Sequence, residues 1–264
     1  MPKRGLAAVA ALGLGLLRTS DTSACTCLGP QLTIVGPDRV DDAALNVRVR
    51  FEVPSRGTPF GAKSAVLRVS DTGAAADVSE RDWRDGSNLY VELTPTTSLQ
   101  PSTRYEVAFV DPDPKAYPKV TVLGTFKTGT ATDTTAPVLD AVGAAVAKGS
   151  GAFSTTCSVR GPWIAVSGLA AHDPGRPNAK LKYGIWVADA AGHLDTSKPP
   201  ATLLDPWDDS VYLGRRSLCD PHDFPISMTA PSMTIAIAAV DESGNTSPPR
   251  RLPKISLVGV GAHP

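Results

Sequence analysis

The sequence predicts an all-β protein built as two tandem β-sandwich domains, and three observations indicate this class. Gly and Pro are frequent, with 23 and 24 among 264 residues, which suits a chain with many turns. Several short segments alternate apolar and polar residues with a period of two, as strands with one buried face do. Turn signals separate these segments at the spacing typical of a sandwich, and the sequence has no comparably long stripe with the helical period.

Residues 1–24 are predicted to be a signal peptide. Lys3 and Arg4 precede an apolar run over 5–17, which is too short to cross a bilayer core of about 30 Å as a helix. Small residues then end the segment before Cys25. We therefore expect an exported protein, either secreted, periplasmic or at the cell surface. We expect no transmembrane helix, because no later segment is long and apolar enough.

Cys25 has two interpretations, and both stay open. The preceding Ser23 and Ala24 resemble the end of a bacterial lipoprotein lipobox, in which the Cys carries a lipid anchor. The lipobox normally has Leu three residues before its Cys, where this chain has Thr22. Lipid attachment at Cys25 and plain cleavage after Ala24 are therefore both retained.

The other cysteines predict a disulfide in the second domain. Export places all four cysteines in an oxidising compartment, where disulfides persist. Cys157 and Cys219 fall inside one predicted domain, so we predict that they pair, with a stabilisation of about 4 kcal/mol from loop closure. One residue separates Cys25 from Cys27, so a disulfide between them would close a strained ring. This spacing, with no second pair of ligands, is only a weak indication of a metal site. The pairing of Cys25 and Cys27 is left open.

The first predicted domain begins with a clear alternating strand. Apolar residues occupy every second position from Leu45 to Val53, which predicts one core face and one wet face. Tyr105 opens a later strand just after a corner that contains Pro101, which is the placement of a tyrosine corner; an ordinary buried Tyr is the alternative. The same alternation predicts further strands at 65–69, 89–93, 105–109 and 122–126.

Three motifs carry a family resemblance. They are Leu-Thr-Pro at 93–95, Leu-x-Pro-x-Thr-x-Tyr at 99–105 and Gly-Thr-Phe-Lys-Thr-Gly at 124–129. With them, residues 31–129 resemble the bacterial Ig-like domain of the S-layer type, and Asp-Thr-Thr-Ala-Pro at 133–137 resembles the junction that follows such domains. The Asp-rich stretch 38–42 departs from the family, which often has a Gly-containing turn there. The resemblance implies an Ig-like sandwich in a secreted or cell-surface module, and it implies no catalysis.

The second predicted domain spans 137–260, after a Thr-rich linker at 130–136 that ends at Pro137. Residues 235–247 resemble the penultimate strand and final turn of fibronectin type III-like modules, which implies a second Ig-like or fibronectin type III-like sandwich. Its strands are predicted at 163–171, 180–188, 233–240 and 251–258.

A Pro-rich excursion at 192–231 interrupts the second domain. It is interpreted either as a long loop or as irregular edge strands, and Cys219 suggests that a disulfide holds it to the sandwich. Long ordered loops on a rigid scaffold often carry function. We therefore nominate Trp207, Asp208, Asp209 and Tyr212 as candidate binding residues, with internal packing of the Trp ring as the alternative.

No catalytic residue and no firm metal site is predicted. The densest polar group is Asp220, His222 and Asp223, with Asp205 upstream. This group suits a metal ion or acid–base pair, and a solvated acidic loop is the alternative. Calcium is the best-motivated ion, because loop carboxylates and carbonyls are hard oxygen ligands. The sequence has no Gly-x-Ser-x-Gly elbow and no phosphate-binding Gly loop.

These features predict a non-enzymatic exported protein of the cell envelope or extracellular space. It would act as a structural spacer or as a recognition or adhesion module, with an unknown protein or glycan partner and no required cofactor. Equal numbers of basic and acidic residues, 26 each, disfavour nucleic acid as a partner. The alternative is an exported carbohydrate-binding or hydrolytic protein that uses the acidic loop 205–223.

Overall fold

The computed structural model confirms the all-β class. No helix occurs in the residues that it describes, and none of them form a helix that could cross a membrane. The predicted signal peptide and all four cysteines lie outside the described residues. The described residues are 33–36, 41–54, 65–85, 88–110, 120–148, 163–177, 179–214 and 231–258.

The first half of the chain forms seven strands in two sheets. One sheet has the order β1-β2-β5-β4 and the other has the order β3-β6-β7, with every strand pair antiparallel. Lettered A to G along the chain, these orders are ABED and CFG, the strand order of a constant-type Ig domain. The strands are β1 (Thr33–Gly36), β2 (Val49–Pro54), β3 (Ala65–Val69), β4 (Val78–Asp85), β5 (Asn88–Pro95), β6 (Arg104–Val110) and β7 (Val120–Lys127).

The two sheets of this first sandwich share one core. Val49 and Phe51 of β2 and Leu67 of β3 are buried in it, as the alternation predicts. Tyr105 is also buried, and its hydroxyl accepts a hydrogen bond of 2.9 Å from the Gln100 backbone N–H. This bond to upstream backbone confirms the tyrosine corner.

Two details of the predicted alternation are wrong. The outer face of β2 is not uniformly wet, because Arg50 is buried there against Glu92 of β5, with Nε 2.6 Å from Oε2. Val122 is exposed although Phe126 is buried. The cause is a β-bulge: Val107 pairs with Gly124 but Ala108 pairs with Val122, so Leu123 is an extra residue that reverses the faces of β7.

The second half forms a separate sandwich. One sheet has the order β13-β12-β16-β17, and β14-β10-β9 lies across a shared apolar core from it; β8-β11 and β15-β18 are short flanking pairs. No described sheet combines strands from before Thr128 with strands after Pro137. The strands are β8 (Val138–Ala141), β9 (Ala145–Lys148), β10 (Trp163–Val166), β11 (Ala170–His172), β12 (Lys182–Val187), β13 (Thr202–Leu204), β14 (Val211–Leu213), β15 (Ser232–Met233), β16 (Ile235–Val240), β17 (Arg250–Arg251) and β18 (Ile255–Ser256).

The predicted strand at 163–171 is two strands, β10 and β11. Gly168 between them has a φ of +66°, a left-handed conformation that ends the first strand. The predicted strand at 251–258 is likewise divided into β17 and β18, with Pro253 between them.

The 192–231 excursion contains edge strands in its described part. β13 pairs with β12, and β14 pairs with β10, so this segment extends both main sheets. Of the two interpretations, irregular edge strands therefore hold for 202–213. Residues 215–230 lie outside the described residues.

β12 and β16 are the central strands of the second sandwich, and both of their faces are covered. Tyr183 and Ile185 point into the main core. Trp186 points to the opposite face, where it packs with Ala236 and Ala238, and its Nε1 donates a hydrogen bond of 2.7 Å to the Lys198 carbonyl. Segment 194–200 thus covers the outer face of the sheet.

Candidate functional site

Trp207 is the exposed aromatic residue among the predicted binding residues. Its side chain is 62% exposed at a tight turn, in which the backbone groups of Trp207 and Ser210 exchange hydrogen bonds of 2.8 and 3.0 Å. Asp208 lies at the turn in a left-handed conformation, with a φ of +54°. Asp209 anchors the turn, because its carbonyl accepts a 2.9 Å bond from Leu169 N–H.

Two other acidic-loop residues have structural contacts. Tyr212 is half-buried on β14, and its ring packs edge-on against Trp163 with 5.7 Å between centroids. Asp205 pairs with Lys182 of β12 at 2.5 Å. Asp220, His222 and Asp223 lie outside the described residues, as do Cys25, Cys157 and Cys219.

A second site lies at the junction of the two sandwiches, and it begins with Asn46 and Asp133. The Asn46 amide donates a hydrogen bond of 2.7 Å to the Asp133 carbonyl, and its Oδ1 accepts one of 2.9 Å from the Asp133 N–H. Asn245, in the turn after β16, donates a further bond of 3.1 Å to the same carbonyl. One linker residue is therefore bound to both sandwiches.

Arg48 and Arg176 add direct contacts across the junction. Arg48 N–H donates a backbone hydrogen bond of 2.9 Å to the Glu242 carbonyl, so the first sandwich bonds to the turn after β16. Arg176 of the second sandwich donates a bond of 3.2 Å to the Asp42 carbonyl of the first. Gly244 lies so close to the Arg48 guanidinium that a Cβ at this position would overlap it.

Three buried carboxylates meet at the same junction. Asp133 of the linker, Asp173 after β11 and Asp241 after β16 each bring an oxygen to within 4.8 Å of the others. Their exposed fractions are 7%, 1% and 2%. These residues come from three segments far apart in sequence, and the packing of the second sandwich against the linker brings them together.

Hydrogen bonds hold each carboxylate in place. Asp173 Oδ1 accepts bonds of 2.8 and 3.1 Å from the N–H groups of Gly175 and Arg176. Asp241 receives two bonds of 2.8 Å from Asn245, one from the backbone N–H and one from the side chain. Asp133 Oδ1 accepts a bond of 3.0 Å from the Thr135 N–H, and its Oδ2 lies 3.4 Å from Arg176 Nε.

The Asp173 carboxylate is only half satisfied. Its Oδ2 is buried and has no hydrogen-bond partner among the described residues. A buried anion without a partner is costly, because water no longer solvates its charge.

The electrostatics of the cluster disfavour negative charge at Asp241. Burial raises the pKa of the Asp241 carboxyl, the charges of Asp133 and Asp173 raise it further, and the hydrogen bonds from Asn245 oppose the shift. Negative charge at Asp241 is therefore less favourable than it would be on an exposed carboxyl.

Sequence reasoning missed this site. The motif that contains Asp133 indicates a linker, and the motif that contains Asp241 indicates a strand and turn of the fold; neither indicates a metal ligand. No spacing rule links positions 133, 173 and 241, and none of the acidic residues nominated from the sequence belongs to the cluster.

A groove of about 570 Å³ lies beside the junction. Arg48 and Arg81 of the first sandwich line it, together with Trp186, Lys198 and Pro200 of the second. Arg81 also donates a bond of 3.2 Å to the Pro200 carbonyl, which is another contact between the sandwiches.

Comparison with known proteins finds no matching family model and no matching curated protein. Among solved structures, the chain is similar to the N-terminal Ig1-2 module of the Drosophila receptor protein tyrosine phosphatase DLAR, with 10% identity, 86% of this chain and 97% of that chain covered, and a TM-score of 0.28. It is also similar to fibronectin(III)-like modules of CbhA from Clostridium thermocellum, with 11% identity, coverage of 86% and 93%, and a TM-score of 0.23. A DUF3823 family protein from Bacteroides ovatus has 12% identity, coverage of 82% and 97%, and a TM-score of 0.28.

The fold and the junction define a class of protein. The chain consists of two tandem β-sandwich modules, and the first has the Ig-like strand order together with the tyrosine corner. Because no family model matches the chain, the more specific resemblance of residues 31–129 to the S-layer type of Ig-like domain stays a prediction.

Proposed function

We propose that the protein is a non-enzymatic, exported spacer of the cell envelope or extracellular space. The observation that carries the proposal is the junction, where Asp133 of the linker bonds to Asn46 on one side and Asn245 on the other. A freely hinged linker would be solvated and would make few such bonds. The predicted signal peptide and the resemblance of residues 31–129 to a surface module support the location.

Residual dipolar couplings of the full mature chain test the fixed junction. We expect both sandwiches of the wild type to share one alignment tensor. The double variant Asn46→Ala, Asn245→Ala removes the bonds to Asp133, so we expect two tensors of different magnitude. Thr96→Ala, which removes an exposed hydroxyl of the first sandwich, is the control and should behave as the wild type. Two independent tensors in the wild type would contradict the spacer proposal.

A recognition role is the second candidate, and the exposed Trp207 ring favours it. A Trp at a rigid turn, flanked by the exposed carboxylates of Asp208 and Asp209, can stack on a sugar ring and accept hydrogen bonds from its hydroxyls. The partner would be a glycan or a protein of the cell envelope. Trp207 lies within the loop 205–223, so this second candidate includes the carbohydrate-binding alternative predicted for that loop.

Binding to purified cell-envelope polysaccharides tests this second candidate. Trp207→Ala should weaken binding at least tenfold while the melting temperature stays unchanged. Val122→Ala replaces another exposed apolar side chain, on the first sandwich, and should bind as the wild type. Equal binding by wild type and Trp207→Ala would remove Trp207 from the proposed surface.

A further inference from the structure

We propose that the junction binds one divalent cation, Ca²⁺, through the carboxylates of Asp133, Asp173 and Asp241. The three side chains converge from the linker and from two loops of the second sandwich, with one oxygen of each within 4.8 Å of the others. This site is separate from the acidic loop 205–223. It does not depend on the exposed Trp207 surface.

The charge balance of the junction supports a bound cation. Arg176 supplies one guanidinium, with Nε 3.4 Å from Asp133 Oδ2 and Nη1 4.0 Å from Glu242 Oε2. Only Asp133, among the three carboxylates of the cluster, has this ion pair, and all three are at least nine-tenths buried. Buried carboxylates are stable when they are paired or when they coordinate a metal ion.

Asp173 gives an independent indication. Its Oδ1 is held by two backbone N–H groups, which fixes the carboxylate in one orientation. Its Oδ2 is buried and has no hydrogen-bond partner among the described residues. A cation would satisfy this oxygen, which is otherwise an uncompensated buried acceptor.

The ligand set favours Ca²⁺. The cluster consists of carboxylates only, and hard cations prefer such oxygen ligands, whereas Zn²⁺ and Cu²⁺ sites use His or Cys. Oxygens on opposite sides of one Ca²⁺ are separated by about 5 Å, twice the Ca–O distance, so oxygens within 4.8 Å of one another can share one ion. Mg²⁺ demands tighter octahedral geometry and usually retains several waters.

Cation binding would also strengthen the junction. Asp133 belongs to the linker and Asp173 and Asp241 belong to the second sandwich, so a shared ion ties the linker to that sandwich. Asn46 continues the connection to the first sandwich through its two bonds to Asp133. This structural consequence rests on the proposed spacer role, whereas binding itself does not.

Terbium luminescence and thermal unfolding of the full mature chain test the site. After treatment with chelator, we expect one Tb³⁺ per chain, displaced by Ca²⁺ and much less readily by Mg²⁺. At a free Ca²⁺ concentration a hundred times the Kd, the unfolding equilibrium constant should fall about 100-fold, with a matching rise in melting temperature.

Two variants test the ligands. Asp173→Asn and Asp241→Asn keep the shape of each side chain but remove a charge, and each should lower Ca²⁺ affinity at least tenfold. Asp195→Asn, at a carboxylate in an exposed loop, is the matched control and should bind as the wild type. If a variant fails to fold, the stoichiometry and Ca²⁺ displacement measured on the wild type decide the question.

Each outcome has a separate meaning. No Tb³⁺ binding and no change in melting temperature at millimolar Ca²⁺ would overturn the site. Wild-type Ca²⁺ affinity in both ligand variants would overturn it too. Dipolar couplings measured with and without Ca²⁺ test the spacer role independently of Ca²⁺ binding. A chain that binds Ca²⁺ but has two independent alignment tensors would keep the site and reject the spacer.

Discussion

Gly244 shows how a single residue at the junction is constrained twice. Its φ of +84° is a left-handed conformation, which costs a residue with a Cβ about 1–2 kcal/mol. A Cβ would also overlap the guanidinium of Arg48, which belongs to the other sandwich. The turn after β16 thus depends on glycine for its own shape and for the approach of the first sandwich.

Gly244→Ala should therefore destabilise the protein more than backbone strain alone does. Gly192→Ala is the matched control, because Gly192 has a φ of +82° and open space where a Cβ would lie. We expect a loss of about 1–2 kcal/mol for Gly192→Ala. Urea unfolding should show a larger loss for Gly244→Ala, and equal losses would mean that Arg48 moves aside without cost.

Tyr105 fixes the corner of the first sandwich through one hydroxyl. Its ring stacks on Phe126 with 5.7 Å between centroids, and Tyr105→Phe leaves that packing intact. The substitution removes the acceptor for the Gln100 N–H, so we expect a loss of about 1–2 kcal/mol in the free energy of unfolding. Ser79→Ala, which removes an exposed hydroxyl of the same sandwich, should change the urea midpoint little. No loss in Tyr105→Phe would mean that water replaces the hydroxyl.

At the scale of single elements, β12 differs from the strands of the first sandwich because it is buried on both faces. Ile185 faces the main core, and Trp186 fills the space beneath the segment 194–200. The hydrogen bond from Trp186 Nε1 to the Lys198 carbonyl ties that segment to the sheet. The segment 194–200, which belongs to the excursion 192–231, is therefore tied to the strand β12.

Two tryptophans should respond differently to truncation. Trp186→Ala removes a side chain that is 5% exposed, so we expect a loss of about 3–5 kcal/mol. Trp207→Ala removes a ring that is 62% exposed, and we expect a change within about 1 kcal/mol. Chemical denaturation measures both. A large loss in Trp207→Ala would show that the ring packs against the protein and does not present a binding surface.

At the scale of the whole molecule, directional polar contacts join the two sandwiches. Asn46, Asp133 and Asn245 form the centre, and Arg176 bonds to the first sandwich at the Asp42 carbonyl. Polar contacts of this kind specify a relative orientation, because each bond is directional.

Arg176→Met tests whether Arg176 and the proposed Ca²⁺ stabilise the same carboxylates of the junction. The variant keeps an unbranched side chain but removes the charge beside Asp133, so in calcium-free buffer we expect a loss of about 1–3 kcal/mol. Ca²⁺ at the carboxylates should recover part of this loss, because it supplies positive charge to the same group. Thermal unfolding with and without Ca²⁺ measures the difference. A loss that is identical in both buffers would contradict the coupling.

The sequence predicts the strands in which apolar residues recur with a period of two. β2 and β6 are examples, and Tyr105 was identified from its position after the Pro101 corner. The bulge at Leu123 was missed because it depends on the register with the neighbouring strand β6. The break at Gly168 was missed because the apolar residues on both sides of it resemble one continuous strand. β4 was also missed, because its sequence Val-Ser-Glu-Arg-Asp-Trp-Arg-Asp is mostly charged and lacks apolar alternation.

The candidate sites were less predictable than the fold. Exposure of Trp207 follows from its position in a Pro-Trp-Asp-Asp turn, which local sequence describes well. The junction carboxylates do not form a local motif, since Asp133 and Asp241 are more than a hundred positions apart. Only the docking of the linker against the second sandwich places them together.

The short strand β17 has a consequence for solubility. It lies at the end of the sheet β13-β12-β16-β17, where an uncovered strand would offer its backbone groups to a strand of another molecule. β17 has only two residues, and both are exposed arginines. Like charges would face each other if two copies met along this edge, so the chain is protected there against edge-to-edge aggregation even when many copies are crowded together.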